Sequence, residues 1–392
     1  MSESSAYPEP IAAPAQHAAE KPTICLAMIV KNERHVIERL IAQVAPYLSY
    51  WVIVDTGSSD GTQGLIRDRF AELGIAGELH ERPWRDFGHN RSEALALADG
   101  HADYLWVIDA DDSIDGTLDL SDLTADGYAL RIRSGFDYWR QQLFRSGMGW
   151  RYEGVLHEYP ECDQPHTVVR IEGDYAILSG RIGARSQDPL KYHKDALVLE
   201  AALRDDPGNA RYWYYLGQSW MDAGEPARAI EAFRRRVALG GWDEEAYCAQ
   251  LRLGRCLIRT EAPAAEVAAA LLHAYEIRPI RAEALWELAR YLRLHDRFEA
   301  ATLFALEAVA IAPPLDDILF VEPDVYRYQA LDELAVSAYY SARHVVDGYA
   351  ACLRVLAITG LSDEVRARTE ENRSYYETHH GLGPMALDER GG

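Results

Sequence analysis

Lysine is nearly missing from this sequence. It occurs only at Lys21, Lys31, Lys191 and Lys194, and arginine supplies the rest of the 40 basic residues, a bias that points to a GC-rich bacterial genome. Against them stand 62 acidic residues, for a formal net charge of -22. A surface that acidic repels nucleic-acid phosphates and anionic lipid, which excludes both as partners. Cysteine is scarce as well. The five thiols (Cys25, Cys162, Cys248, Cys256 and Cys352) make neither a CxxC pair nor an even framework. Reduced thiols and a cytoplasmic setting are the expectation. No apolar run approaches the length of a membrane span. The first residues lack the basic start and apolar core of a signal peptide. No GxGxxG follows the first strand and no GxxxxGK[ST] occurs, which excludes a dinucleotide-dependent oxidoreductase and a P-loop NTPase.

What is present suits a soluble protein with a sizeable core: 392 residues, 48% of them hydrophobic and 26% charged. That length predicts about two or three domains. Residues 1–21 are small, Pro-rich and without periodicity, and are expected to form a disordered leader. A continuous apolar run, Thr23 to Val30, then reads as a strand buried on both faces. Strands are expected again at Trp51 to Val54, Glu78 to Arg82 and Tyr104 to Ile108. Helices are expected between them at His35 to Tyr50, Gln63 to Leu73 and Asn90 to Asp99. Alternating strands and helices predict a doubly wound α/β domain over 22–188, with ligands bound outside the C-terminal ends of the strands.

From 189 to 378 the pattern is helical alone. Trp213-x-x-Leu216-Gly217-x-x-Trp220 with Ala229 and Phe233 follows the tetratricopeptide pattern. Weaker copies lie around Leu253-Gly254 and around Leu285, Leu288-Ala289 and Leu292 with Ala301 and Ala308. A poor fourth spans Leu331 to Ala338. The aromatic run Trp213-Tyr214-Tyr215 reads as repeat core rather than a sugar platform. Residues 379–392 are expected to be a disordered tail.

Two polar loops sit at predicted strand ends. Asp109-Ala110-Asp111 follows Leu105-Trp106-Val107-Ile108. Two carboxylates spaced one apart at the end of a buried strand can both face a cleft and hold a hard divalent ion on a diphosphate. Aspartates capping a strand-ending turn are the plainer alternative. Asp55 ends the second strand and opens Thr56-Gly57-Ser58-Ser59-Asp60-Gly61-Thr62. A carboxylate there can accept the imide N–H of uracil, with Gly57 allowing close backbone approach. Asp60 reads as a turn or cap residue instead.

These segments, with Ala27-Met28-Ile29-Val30-Lys31-Asn32-Glu33, resemble the N-terminal signature of glycosyltransferase family 2. Arg82-Pro83-Trp84-Arg85-Asp86-Phe87-Gly88-His89-Asn90-Arg91 and Arg235 to Glu245 resemble segments of bacterial members that carry tetratricopeptide repeats. The resemblance covers roughly residues 23 to 260 and implies several things: a GT-A fold, an inverting reaction, a nucleotide-sugar donor, often UDP-linked, and Mn²⁺ or Mg²⁺. Val30, Asn32, Glu33, Asp55 and Gly57 would then cradle the nucleotide. Asp109, Asp111 and His157 would hold the metal, with Asp109 touching metal or ribose. In the resembling proteins a His-Glu pair lies downstream of the aspartates, as His157-Glu158 does here. Glu158 is assigned as the general base, with Asp112 competing. Both His157 and Glu158 can serve one site only if the backbone turns there, since adjacent strand residues face opposite ways. Arg181 and Arg185, in a loop before the repeats, and Arg91, at a helix start, would meet phosphate; a solvated linker and a surface salt bridge are the alternatives. The repeats would present a peptide, protein or glycan acceptor, or mediate homo-oligomerisation. A repeat scaffold with a degenerate nucleotide-binding module, or a polysaccharide or glycolipid transferase, would also fit the same sequence.

Overall fold

The computed structural model describes residues 21–134, 137–180 and 182–383. The expected leader, but for Lys21, and the end of the expected tail lie outside them. The described chain divides between Pro189 and Leu190 into two compact units.

The first unit is built on a mixed nine-stranded sheet. Strands β1 (Ile24–Val30), β2 (Tyr50–Asp55), β3 (Gly77–Glu81) and β4 (Tyr104–Val107) are parallel, in the order β3-β2-β1-β4. Strand β1 explains the two-sided burial. Ile24, Leu26, Met28 and Val30 pack on one face with helices α1 (Ile37–Val44) and α2 (Thr62–Leu73). Cys25 and Ala27 pack on the other with α3 (Phe87–Ala98). Alternating residues of one strand thus feed two cores, which is why the run is continuously apolar.

Helix α1 buries Ile37, Leu40, Ile41 and Val44, an i, i+3, i+4, i+7 stripe. It ends sooner than expected, because Pro46 cannot continue the hydrogen-bond ladder and the chain tightens to a 3₁₀ turn at Ala45–Tyr47. Helix α3 starts sooner than expected, because the Asp86 carboxylate accepts the His89 amide at 2.7 Å and caps it. Its second residue, Gly88, lies so close to the Gly154 carbonyl that a Cβ would stand 2.3 Å from that oxygen.

Beyond β4 the sheet becomes mixed, with antiparallel pairs that the alternating pattern did not predict. Strand β7 (Asp137–Arg145) runs against β4 and against β6 (Gly127–Arg133), and β11 (Tyr175–Leu178) joins β6 to β5 (Ser113–Gly116). Strand β10 (Val168–Arg170) pairs with the start of β6, and β8 (Arg151–Glu153) and β9 (Tyr159–Glu161) form a separate hairpin. The β6–β7 register slips at Tyr128/Ala129, so Gln142 is the extra residue of a β-bulge.

The second unit is helical. After α4 (Lys191–Asp205) come the hairpins α5–α6 (Ala210–Asp222, Pro226–Ala238), α7–α8 (Asp243–Arg259, Ala264–Ile277) and α9–α10 (Phe298–Ala310 following Glu283–Arg293). Helices α11 (Ala330–Ser337), α12 (Val345–Leu356) and α13 (Asp363–His380) close the array. Helix α13 runs two residues past the expected start of the tail. Tyr214 and Tyr215 are buried, and Trp213 is half-buried with its indole N–H on the Pro207 carbonyl at 2.9 Å. These aromatics are repeat core. Among the described residues no helix is long and apolar enough to cross a membrane.

Candidate active site

The site gathers at the C-terminal ends of β1, β2 and β4. Val30 and Asp55 are register partners there, and the Val30 carbonyl accepts the Thr56 amide at 2.9 Å. Asn32 takes a left-handed backbone and ties two loops together. Its amide donates to Ser58 Oγ and its side-chain oxygen accepts the Ser59 amide, both at 2.8 Å. Asp60 accepts the Thr62 amide at 3.0 Å, as a turn residue does.

Asp55 is 1% exposed. Its Oδ1 accepts the amides of Gly57 at 2.9 Å and Ser58 at 2.8 Å, and the side-chain N–H of Gln63 at 3.1 Å. Its Oδ2 is buried and has no hydrogen-bond partner. Buried acceptors are nearly always satisfied, so this oxygen stands out among the polar atoms at the strand ends.

Asp109 sits in an arginine clamp. Arg91 Nη2 lies 2.5 Å from its Oδ1 and Arg140 Nη1 3.5 Å from its Oδ2. Burial alone would raise the Asp109 pKa, but Arg91 and Arg140 outweigh it and hold the group well below the usual carboxylate range. Arg91 also meets Glu158, Nε to Oε1 at 2.7 Å, an ion pair whose N–H is not aligned as a hydrogen bond. Arg140, on β7, was not foreseen. Nothing local in the sequence marks it, because it reaches the site through the antiparallel pairing of β7 beside β4.

Asp112 is 1% exposed, with Arg140 Nη2 at 3.1 Å and the Gly180 amide donating at 3.1 Å. Burial, then the neighbouring Asp109, push its pKa up to about 7. Glu33 is also pushed up to about 7, by burial and then by Asp111.

The loop before the repeats meets these carboxylates through backbone amides. The Gly183 amide donates to Asp111 Oδ2 at 2.9 Å and the Ala184 amide to Glu33 Oε1 at 3.3 Å. Gly180 must be glycine, since a Cβ there would stand 2.0 Å from the Asp111 carbonyl oxygen. Arg185 lies in a 3₁₀ turn, Ala184–Gln187, with its guanidinium 4.6 Å from the centre of the Phe87 ring. Arg181 lies outside the described residues.

The backbone does turn at His157-Glu158, as one shared site required. Gly154 and His157 both have positive φ, between β8 and β9. The side chains nevertheless part: Glu158 faces Arg91, while His157 is exposed. Among the described residues no group of three or more His, Cys, Asp or Glu is arranged to hold a metal ion. Asp109 is engaged by two arginines and Asp111 by a loop amide.

Arg91, Asp109, Arg140, Gln142, Tyr152 and Glu158 line a cavity of about 90 Å³. Gln142 is 1% exposed and neither polar atom of its amide has a partner. The bulge turns this amide into the site, a signal that no sequence period carries.

Comparison with known proteins agrees with the two units. Residues 25–125 match the family model for Glycosyl transferase family 2, and residues 194–241 match one for a tetratricopeptide repeat. A TPR repeat-containing protein of Synechococcus elongatus is 33% identical over 91 residues, which is 23% of this chain and 21% of that protein. The chain thus spans about a fifth of the length of the curated relative it matches. Among solved structures, a MamA protein is 19% identical with a TM-score of 0.34, covering 49% of this chain and 89% of its own. BtubC from P. vanneervenii is 16% identical with a TM-score of 0.37, covering 50% of this chain and 85% of its own. YrrB, described as a TPR protein with an unusual peptide-binding site, is 15% identical with a TM-score of 0.35, covering 46% and 84%.

Proposed function

Because a glycosyltransferase family 2 domain and tetratricopeptide repeats follow one another in this chain, we propose that it is an inverting glycosyltransferase using a UDP-linked sugar. The observation that carries the donor reading is the buried, unpartnered Oδ2 of Asp55. Uracil presents an imide N–H to such an acceptor, whereas cytosine presents an unprotonated ring nitrogen. Val30, Asn32 and Gly57 shape the backbone around the base.

The acceptor hydroxyl oxygen attacks the anomeric carbon as the bond from that carbon to the diphosphate breaks. The electron pair leaves with the nucleoside diphosphate, and the hydroxyl proton passes to a carboxylate. Glu158 takes that proton in this reading, because it lines the cavity and Arg91 fixes its position. Asp112 is the alternative, buried beneath Gly180. Arg91 and Arg140 offset the charge of Asp109, so an incoming diphosphate meets less repulsion. Arg185, in the loop before the repeats, would face the leaving group in this reading.

A divalent ion, Mn²⁺ or Mg²⁺, would supply Lewis-acid charge on the diphosphate. Asp109 and Asp111 are the residues it would draw on, and no step above relies on it. The clamped state of Asp109 favours a second reading, a repeat scaffold with a degenerate nucleotide-binding module. Turnover of a UDP-sugar separates the two. The repeats support a peptide or protein acceptor, since stacked hairpins expose a continuous surface for another chain.

Calorimetry with UDP and CDP tests the donor reading. UDP should bind the more tightly, and Asp55→Asn should weaken UDP by about 10- to 100-fold, the cost of an unmade bond to a buried charge. Unchanged UDP affinity in that variant would remove Asp55, and with it the uridine assignment.

A further inference from the structure

Gln142 is the extra residue of the β7 bulge and is 1% exposed. Both polar atoms of its amide are shut off from water, and neither has a hydrogen-bond partner. One unmet buried polar atom is costly, and here a single side chain carries two. The charged neighbours do not meet them. Arg91 is engaged with Asp109 and Glu158, and Arg140 with Asp109 and Asp112. Nor does strand pairing call for an amide, since the bulge takes Gln142 out of register with β6. A bulge that served only to bend the strand would hold an apolar residue as well.

The position gives the amide a use. Gln142 lines the same cavity as Asp109 and Glu158. A general base must lie within hydrogen-bond reach of the hydroxyl it deprotonates, and that hydroxyl attacks the anomeric carbon. The ring of the transferred sugar therefore lies beside Glu158, in the cavity that Gln142 lines.

The chemistry of the amide narrows what it meets there. It offers an acceptor and a donor side by side in one plane. Hydroxyls on adjacent ring carbons match that pair, because each is donor and acceptor at once. One donates to Oε1 and its neighbour accepts from Nε2. A lone hydroxyl leaves one of the two atoms unmet. The trans amide of an acetamido group points its N–H and C=O in opposite directions, so it also meets only one. A carboxylate cannot donate to Oε1 and is repelled by Asp109 and Glu158.

We propose that Gln142 selects the transferred sugar by holding two adjacent ring hydroxyls, one on Oε1 and the other on Nε2. It is a specificity-determining residue and takes no part in moving the proton. A site built to bond a hydroxyl rejects the analogue that lacks it, because the buried amide is then left unpaired. This inference rests on the reading of the chain as a UDP-sugar transferase.

Calorimetry on the full chain, with Mn²⁺ and without acceptor, tests it. The probes are UDP, CDP, UDP-glucose and UDP-galactose, with the singly deoxygenated forms of whichever hexose binds the more tightly. In the wild type, removing either hydroxyl of one adjacent pair should weaken binding by about 5- to 100-fold. In Gln142→Met those two penalties should shrink to within about twofold, while UDP itself binds both proteins alike. Methionine is unbranched and of similar length, and the fold loses no hydrogen bond, so the variant should melt no lower than the wild type. Penalties that persist undiminished in Gln142→Met would overturn the proposal, and a lower melting temperature beside them would make the amide part of the fold. If the variant does not fold, the wild-type series decides. A series with no penalty at two adjacent hydroxyls would leave a water or an acceptor as the partner of the amide, and would overturn the proposal. The uridine preference separates this failure from that of the donor reading. A wild type that prefers UDP to CDP but gives a flat series defeats this inference alone. One that binds neither UDP nor a UDP-sugar defeats the donor reading and this inference with it.

Discussion

Asp112→Asn is the substitution whose effect follows most directly from the geometry. The carboxyl is 1% exposed and stands beside Asp109, and its pKa is pushed up to about 7 by burial and then by Asp109. The sign follows from linkage. Between the unfolded value near ~4 and the folded value, the native state holds a proton that the unfolded chain has released, so stability falls as pH rises through that window. A rise of roughly three pH units, at about 1.4 kcal/mol each, sets an upper bound near 4 kcal/mol for the loss. The amide is neutral at every pH and escapes it. Its oxygen can still accept the Gly180 amide, but its NH₂ group then faces Arg140, a pH-independent cost of about 1–3 kcal/mol. The slope with pH is therefore the readout rather than the absolute stability. Between about pH 4.5 and pH 8 the variant should gain about 2–4 kcal/mol on the wild type, or about 5–15 °C in the melting of a unit this size. Thermal unfolding in matched buffers, with the first unit followed through its own tryptophans, measures it. Parallel pH profiles for the two proteins would refute the reasoning and leave Asp112 ionised throughout.

Other substitutions divide the roles further. Glu158→Gln keeps the shape but cannot accept a proton, so kcat on a UDP-sugar and acceptor should fall by about 10²–10⁴-fold with donor affinity retained. Full rate in Glu158→Gln together with loss in Asp112→Asn would move the base to Asp112. Asp111→Ala should abolish transfer with the fold intact, by the circular dichroism of the purified variant, because the side chain lies outside the core clusters and no buried packing is lost. Calorimetry of UDP in EDTA and in Mn²⁺ should give the tighter binding with the ion; equal affinity in both would sink the metal assignment. Gly88→Ala should destabilise the first unit by about 1–3 kcal/mol, since its Cβ meets the Gly154 carbonyl at 2.3 Å and either α3 or the β8–β9 turn must shift. A melting temperature equal to wild type would mean that the turn yields freely.

The parts of this protein legible in its sequence are those fixed by local pattern. The apolar run of β1 forced burial on both faces and hence a parallel sheet with helices on each side. The spacing of Leu216, Trp220, Ala229 and Phe233 forced stacked hairpins. The polar loops at the ends of β2 and β4 placed Asp55 and Asp109 at one edge of the sheet, because in parallel βα units every strand delivers its C-terminal end to the same side. Tertiary structure decided what those groups meet. Arg140 reaches Asp109 only because β7 pairs antiparallel beside β4, a long-range pairing that no period along the chain announces. Gln142 faces the cavity only because the β6–β7 register slips by one residue, which turns a side chain to the other face. His157 and Glu158, adjacent in sequence, part because the backbone turns through positive φ between them and their strands. Periodicity determines which face of an element is buried; which charges share a site depends on strand pairing and helix stacking between residues far apart in the chain.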